Sequence, residues 1–244
     1  MLDISWTKPN KHIKSPNLIK MLNRFNSLSH WASSEILKHE TPLLRARIIE
    51  RIISIAEVRS PSHPLFIFSC KKLKHFHHFF KYLQHLFKLN NFQSMSALLA
   101  ALNGYAIVRL KRTWSEIGAN YREPFQKMEE VMSAQYSFKN YRQTIYNVEP
   151  PCVPFLGVSL MDLDFLEGGR EFTGNMIAFG RRQRIYEVIS FALLYQTPTF
   201  SIPRHPQLYS LFHFLPCDYQ AGEEFLVQRS LQLEARPPTT GGWG

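Results

Sequence analysis

A chain of 244 residues that is 45% hydrophobic and 14% aromatic can bury a substantial core, as one large domain or two small ones, which excludes disorder as its bulk state. Eleven glycines and fifteen prolines exclude collagen-like and low-complexity classes, while three cysteines at unrelated spacings (Cys70, Cys152, Cys217) exclude a disulfide scaffold or a four-thiolate zinc site and suit a reducing, intracellular compartment. The net charge of +10 is compatible with nucleic acid, an anionic membrane surface, an acidic protein partner or no specific partner, and where it sits decides between them. No stretch approaches the roughly 20 apolar residues of a bilayer span. Residues 1–14 carry lysines without the apolar region of a secretory signal, so a soluble cytoplasmic protein is expected.

The periodicity predicts helix after helix, without internal repeats, and hence an all-α domain. A first helix is predicted from about Ser15 to Lys38, with Leu18, Leu22, Phe25, Leu28, Ala32 and Ile36 on its apolar face. Thr41 and Pro42 read as N-cap and first helical residue of the next, in which a stripe of Leu44, Ile48, Ile52 and Ile55 opposes a polar face of Arg45, Arg47, Glu50 and Arg51. Further helices are predicted over 92–102, 106–117, 123–134, 138–146, 177–196, 206–214 and 220–233. Pro150, Pro151 and Pro154 enforce an extended segment, and residues 237–244 read as a disordered tail.

Residues 58–88 stand apart in composition. Arg59, Lys71, Lys72, Lys74, Lys81 and Lys88 occur there without an acidic residue, among six phenylalanines and half of the histidines, so most of the basic bias is local. Cys70, His75, His77, His78 and His85 make a poor metal set, because adjacent His77 and His78 face different sides of a helix and no carboxylate lies near. Interleaved phenylalanines and cations suit single-stranded nucleic acid, but no binding module accompanies them, and a disordered or membrane-adherent basic segment fits better. Gly168-Gly169 is a bare turn signal rather than a phosphate loop, and no serine or cysteine sits in a nucleophile motif.

Ordered blocks carry more information. They are 25–31 (Phe-Asn-Ser-Leu-Ser-His-Trp), 89–94 (Leu-Asn-Asn-Phe-Gln-Ser), 109–114 (Arg-Leu-Lys-Arg-Thr-Trp), and 151–157 (Pro-Cys-Val-Pro-Phe-Leu-Gly) with Leu160, Asp162, Leu163 and Phe165. Ile177-Ala178-Phe179 then opens a helix closing at Tyr195-Gln196, and Ser230, Leu231, Glu234 and Arg236 end the series. The pattern resembles the catalytic domain of Ras-family guanine-nucleotide exchange factors, the domain shared with Son of sevenless. The resemblance implies an irregular orthogonal bundle of helices with a protruding helical hairpin, one domain over residues 1–236; Trp31, Phe92, Trp114, Phe155 and Leu163 are expected in the core rather than at a contact, since large aromatics and leucine usually bury.

It implies a partner, a Ras-subfamily GTPase (Ras, Rap or Ral), and no cofactor, metal, specific nucleic acid or covalent chemistry. The expected protein is a monomer, open to recruitment to a membrane surface. The wedge helix would be 177–196, with Gln183, Glu187, Val188 and Phe191 acting on nucleotide release and Arg109, Thr113, Glu149, Phe179 and Arg182 on the binding surface. The helix's own periodicity places Ile185, Val188, Ile189, Ala192 and Leu193 toward the core and Gln183, Glu187, Ser190 and Phe191 toward the partner, a stripe that fits a purely structural helix equally well. Arg109 and Thr113 also read as a surface ion pair and a helix cap.

Four departures qualify the resemblance. Phe191 falls where better-known members carry a glutamate near the phosphate site, and Glu149 stands where some relatives have asparagine. The helical stretch and bracing domain that usually precede Asn17 are missing, so the chain reads as N-terminally truncated. Residues 58–87 occupy a connection that is normally a handful of residues, either as a surface insertion, which loop-closure entropy tolerates cheaply, or as translated noncoding sequence such as a retained intron. These departures keep open an alternative, a GTPase-binding or interaction module without exchange activity.

Overall fold

Pro16 presets the helical φ and gives up only an amide that a first helical residue leaves unbonded, and from it a long helix runs to Leu37. The computed structural model describes residues 5–56, 86, 89–169, 172–173, 176–201, 206 and 219–235. After a short turn, Ser5–Thr7, come α1 (Lys11–Lys14), α2 (Pro16–Leu37), α3 (Pro42–Ala56), α4 (Phe92–Leu102), α5 (Tyr105–Val108), α6 (Lys111–Ser115), α7 (Ala119–Val131), α8 (Gln135–Tyr146) and α9 (Leu156–Glu167). A two-stranded antiparallel ribbon, β1 (Phe172–Thr173) and β2 (Met176–Ile177), leads into α10 (Phe179–Leu194), and α11 (Tyr219–Leu233) ends the described chain. The fold is all-α. Among the described residues no helix is long and apolar enough to cross a membrane, and no group of three histidine, cysteine or acidic side chains could hold a metal ion. The histidine-rich segment, all but Pro206 of the helix expected over 206–214, and the tail lie outside the described residues.

The core forms where α2 lies across α4, α3 and α11, with α6 and α7 flanking α3. Ala32, Ile36, Ile49, Ile52, Ile53, Phe92, Met95 and Leu102 are almost fully buried there. Trp31, Trp114 and Phe155 pack against this cluster, and Leu163 is buried. Local chemistry starts the helices as expected: Thr41 Oγ1 accepts from the Leu44 amide at 3.4 Å, and Asn91 Oδ1 from the Ser94 amide at 2.9 Å. Leu86 lies at the end of α3, its amide donating to Ile55 O at 3.3 Å and its carbonyl accepting from Asn91 N at 2.7 Å, so the frame closes across residues 57–85 within one hydrogen bond.

Three expectations change, while the helix predicted over 138–146 is present. The predicted polar face of α3 is partly interior, with Arg45 and Glu50 buried and Leu44 half exposed, because the helix is covered on most of its circumference and both charges have internal partners. Glu50 accepts from the Gly118 amide at 2.9 Å, at the positive end of α7, and from Arg47 at 2.7 Å. The helix predicted over 106–117 is broken into α5 and α6 at buried Leu110, where Trp114 Nε1 donates to Ile107 O at 3.0 Å. α7 starts a turn earlier than predicted and keeps Pro124 inside it. The first residues of α8 are left-handed, with Tyr136, Ser137 and Phe138 at φ of 50, 55 and 61°, so regular helix starts only after Phe138.

α11 crosses α2 at Gly222, where a Cβ would lie 2.0 Å from His30 Nε2. Gly222→Ala is therefore expected to destabilise the domain by about 1–2 kcal/mol, an overpacking cost of about 1–3 kcal/mol reduced by the better helix propensity of alanine. Urea unfolding of the two proteins checks this.

Candidate functional site

The extended 151–155 segment is pinned before it turns into α9. Val153 pairs with Asn91 in an isolated bridge, its amide donating to Asn90 O at 2.9 Å. The Phe155 amide donates to Tyr141 Oη at 2.8 Å and the Leu156 amide to Gln93 Oε1 at 3.0 Å, so two side chains from the bundle satisfy the start of α9. The Phe155 ring settles between Phe25, Phe138 and Tyr141, at centroid distances of 5.9, 6.1 and 6.3 Å. It folds back over Gly157, where a Cβ would meet Phe155 Cζ at 2.5 Å, so position 157 has room only for glycine.

α9 and α10 then form an antiparallel hairpin, packed chiefly on each other. Arg181, at the start of α10, closes it by donating from Nε to Leu166 O at 2.6 Å and from Nη2 to Glu167 O at 3.2 Å, a cation on the carbonyl end of α9. Asp162, Phe165 and Leu166 of α9 and Arg184, Glu187 and Val188 of α10 line a groove of about 320 Å³ between the two helices. α10 has no buried residue, and Phe165, Met176, Ile177, Phe179, Tyr186, Leu193 and Leu194 are all more than half exposed. An apolar surface of this extent is of the kind that marks contact sites.

Two ties hold the hairpin to α8. Arg142 grips Asp162 with both Nη atoms, at 2.8 and 2.7 Å, and Tyr195 Oη, just beyond α10, donates to Ile145 O at 3.1 Å. Burial pushes the Tyr141 and Tyr195 phenols up, so both stay neutral at physiological pH and Tyr195 keeps the proton it donates.

The expected site residues separate into two groups. Phe179, Arg182, Gln183 and Glu187 are exposed on α10, with Gln183 Nε2 donating to Glu187 Oε1 at 3.1 Å; Glu187 borders the groove and Val188 sits half-buried in it. Glu149 is exposed on the connection between α8 and α9. Phe191, expected toward a partner, turns inward instead, packing edge-on to Tyr195 at 5.2 Å and against the core. Ile189 and Leu193, expected inward, stand exposed. The reason is that α10 rests mainly on α9, so only Arg181, Ile185, Val188, Ser190, Phe191 and Ala192 are partly covered.

Arg109 and Thr113 depart furthest from expectation. Thr113 is fully buried, its Oγ1 accepting from Arg45 Nε at 2.8 Å and donating to Glu234 Oε1 at 2.7 Å, so its hydroxyl is committed inside the domain. Arg109 donates to Ser230 O at 2.7 Å and Glu234 O at 2.6 Å, clasping the end of α11. Arg45, at 0% exposure, completes the cluster by bonding Glu234 at 2.9 Å and the carbonyls of His39 and Glu40 at 3.0 and 2.7 Å. Sequence reasoning missed this role, since Arg45 and Glu234 lie far apart and nothing local to either marks the pair.

Burial works to raise the Glu234 carboxyl, but hydrogen bonds from Thr113 Oγ1, the Arg112 amide, Arg45 and the Thr113 amide outweigh it and hold the group below the ordinary 4.5. A lowered folded value means that the carboxylate's contribution is fully present above pH 4.5 and disappears as the pH falls through the folded value. Stability should therefore be flat in this respect from pH 7 to about 5 and fall below that, with the fall attenuated in Glu234→Gln, as read by urea midpoints across the range.

Known proteins are similar to this chain in sequence. The RasGEF domain family model matches residues 1–77 and 69–183, with the junction of the two stretches inside the acid-free basic segment. Ras guanine nucleotide exchange factor J of Dictyostelium discoideum is 31% identical over 237 residues, covering 97% of this chain and 26% of that protein. Ras guanine nucleotide exchange factor K of the same organism is 34% identical over 204 residues, covering 82% of the chain and 11% of that protein. Ras-specific guanine nucleotide-releasing factor 1 of Rattus norvegicus is 28% identical over 236 residues, covering 96% and 17%. The chain thus spans about a quarter or less of the length of these curated relatives. With the family model covering more than half of its length, the chain belongs to the RasGEF domain family.

Proposed function

We propose that this domain is a guanine-nucleotide exchange factor for a Ras-subfamily GTPase in the cytoplasm, acting by inserting the α9–α10 hairpin between the GTPase's switch loops. The observation that carries the reading is α10 itself, a four-turn helix with no buried residue, on a chain of the RasGEF family. A nucleotide held with picomolar affinity is bound by about 16 kcal/mol, too tightly for spontaneous release to serve a signal. A domain that binds the empty GTPase more tightly than the loaded one weakens nucleotide by the factor by which nucleotide weakens the domain. No bond is made or broken, so the work falls to shape and polarity: Phe179 and Tyr186 supply apolar contact, and Gln183, Glu187 and Val188 stand where the wedge meets the nucleotide site. Glu187 is the carboxylate α10 offers to the magnesium and phosphate region, and its hydrogen bond to Gln183 orients it.

A second reading has one specific support. Phe191 occupies the position where an acid is expected and packs inward, which favours a domain that docks a GTPase without ejecting its nucleotide. Release of a fluorescent GDP analogue from Ras, Rap and Ral proteins separates the two. Acceleration of one GTPase establishes exchange and names the substrate, while binding without acceleration establishes the docking module.

A further inference from the structure

The hairpin touches the bundle through few groups: Gln93 of α4 holds its first amide, and the others come from one turn of α8. Tyr141, Arg142 and Ile145, within a single turn of α8, meet Phe155, Asp162 and Tyr195 in turn. Most of these contacts have little directional content. The Phe191–Tyr195 ring pair and buried Val158 and Leu163 are apolar and can slide, and a single Tyr195 hydrogen bond can swivel. The Arg142 fork differs, because two parallel bonds to one carboxylate fix the angle of that carboxylate, and with it α9, relative to the guanidinium plane.

The same guanidinium has a third bond. Its Nε donates to Ser137 O at 2.7 Å, within the run of Tyr136, Ser137 and Phe138 whose left-handed backbone is sterically disfavoured for residues with a Cβ. Such a run persists only where its surroundings hold it. Asn140 Nδ2, bonding Glu130 O at 2.8 Å, braces it from one side, and Arg142 braces it from the other.

We infer that Arg142 is a positioning residue of the hairpin: by bonding the left-handed turn of α8 and Asp162 of α9 at once, it sets the angle at which the α9–α10 pair stands on the bundle. Its consequence for nucleotide release rests on the exchange reading, but the angle itself does not. A lysine at 142 keeps the charge and loses the fork, which makes Arg142→Lys the discriminating variant.

The experiment places spin labels at Gln126→Cys on α7 and Asp164→Cys on α9, in a Cys70→Ser, Cys217→Ser background, and measures their separation in the free domain. Arg142→Lys and Asp162→Asn are expected to shift or broaden the distance distribution relative to the parent, with helical content retained. A distribution unchanged in both overturns the inference. Arg142→Ala and Asp162→Ala should also be strongly non-additive in that readout, and additive effects overturn it equally. If the parent accelerates nucleotide release, Arg142→Lys should lower the rate at saturating domain about tenfold with the half-saturating concentration changed less than about twofold, because a misplacement of about 1 Å can cost 10²-fold. An unchanged saturating rate overturns the positioning role. If the parent does not accelerate release, the exchange reading fails, and the label separation alone decides the present one.

Discussion

Arg45→Met is expected to lower the unfolding free energy by about 3–5 kcal/mol, because removing one member of a buried ion pair leaves the other charge unpaired. The loss exceeds a single bond. It strips Glu234 and Thr113 of a shared donor and leaves the carbonyls of His39 and Glu40 without their partner, at the point where the α2–α3 connection meets the end of α11. The buried acceptors so abandoned, Thr113 Oγ1 and Glu234, each carry a desolvation cost of about 1–3 kcal/mol, which water entry can partly recover. Replacing both charges by apolar groups, Arg45→Met with Glu234→Leu, should recover part of the loss, since a buried pair is weak evidence of net stability while a broken one is costly. Urea unfolding of wild type, both single variants and the double variant checks the expectation. A loss below about 1 kcal/mol for Arg45→Met would equal that of an exposed ion pair and would remove the cluster from the list of what holds α11 in place.

The pattern of what was legible follows from the range of the interactions. α4 starts at Phe92 and stops at Leu102 as predicted, because Asn91 caps it and buried residues repeat along it. α2 and α11 were equally readable from local signals. α9 was not read as a helix, although its residues were among the most informative words in the sequence. Leu156, Val158, Leu160, Met161, Leu163, Phe165 and Leu166 distribute apolar groups around most of the helix, so no single stripe announces the period, and the prolines before it pointed to extended chain. The two faces of α10 were read only in part for a related reason. Of the expected inward stripe, Ile185, Val188 and Ala192 are covered, but Ile189 and Leu193 stand exposed and Phe191 packs inward, because this helix lies mainly on another helix rather than on a core. The left-handed start of α8 and the partners of Arg45, Arg109 and Arg142 depend on residues distant in sequence or on backbone geometry, and composition carries no trace of either.

Phe179 and Phe191 should come apart when each is truncated, although the family resemblance treats both as site residues. Phe179 is 74% exposed at the start of α10, so Phe179→Ala removes little from the folded domain and should change its stability by less than about 0.5 kcal/mol. If the hairpin is the GTPase contact, an aromatic so placed is a candidate anchor, and its truncation should cost about 2 kcal/mol or more of binding, roughly a thirtyfold rise in the concentration of domain needed for half-maximal release. Phe191 packs on Tyr195 and the core, so Phe191→Ala should reduce stability by about 2 kcal/mol, less than the 3–5 kcal/mol of a fully buried phenylalanine. It would also loosen the seat of Tyr195 against Ile145 and so reach nucleotide release through the hairpin's mounting. Thermal unfolding read beside titrated release rates separates the cases. A Phe179→Ala domain with unaltered release would move the contact away from the start of α10, toward Tyr186 and Glu187. A Phe191→Ala domain with full stability but lost release would return Phe191 to the partner surface and make its inward packing a property of the free domain alone.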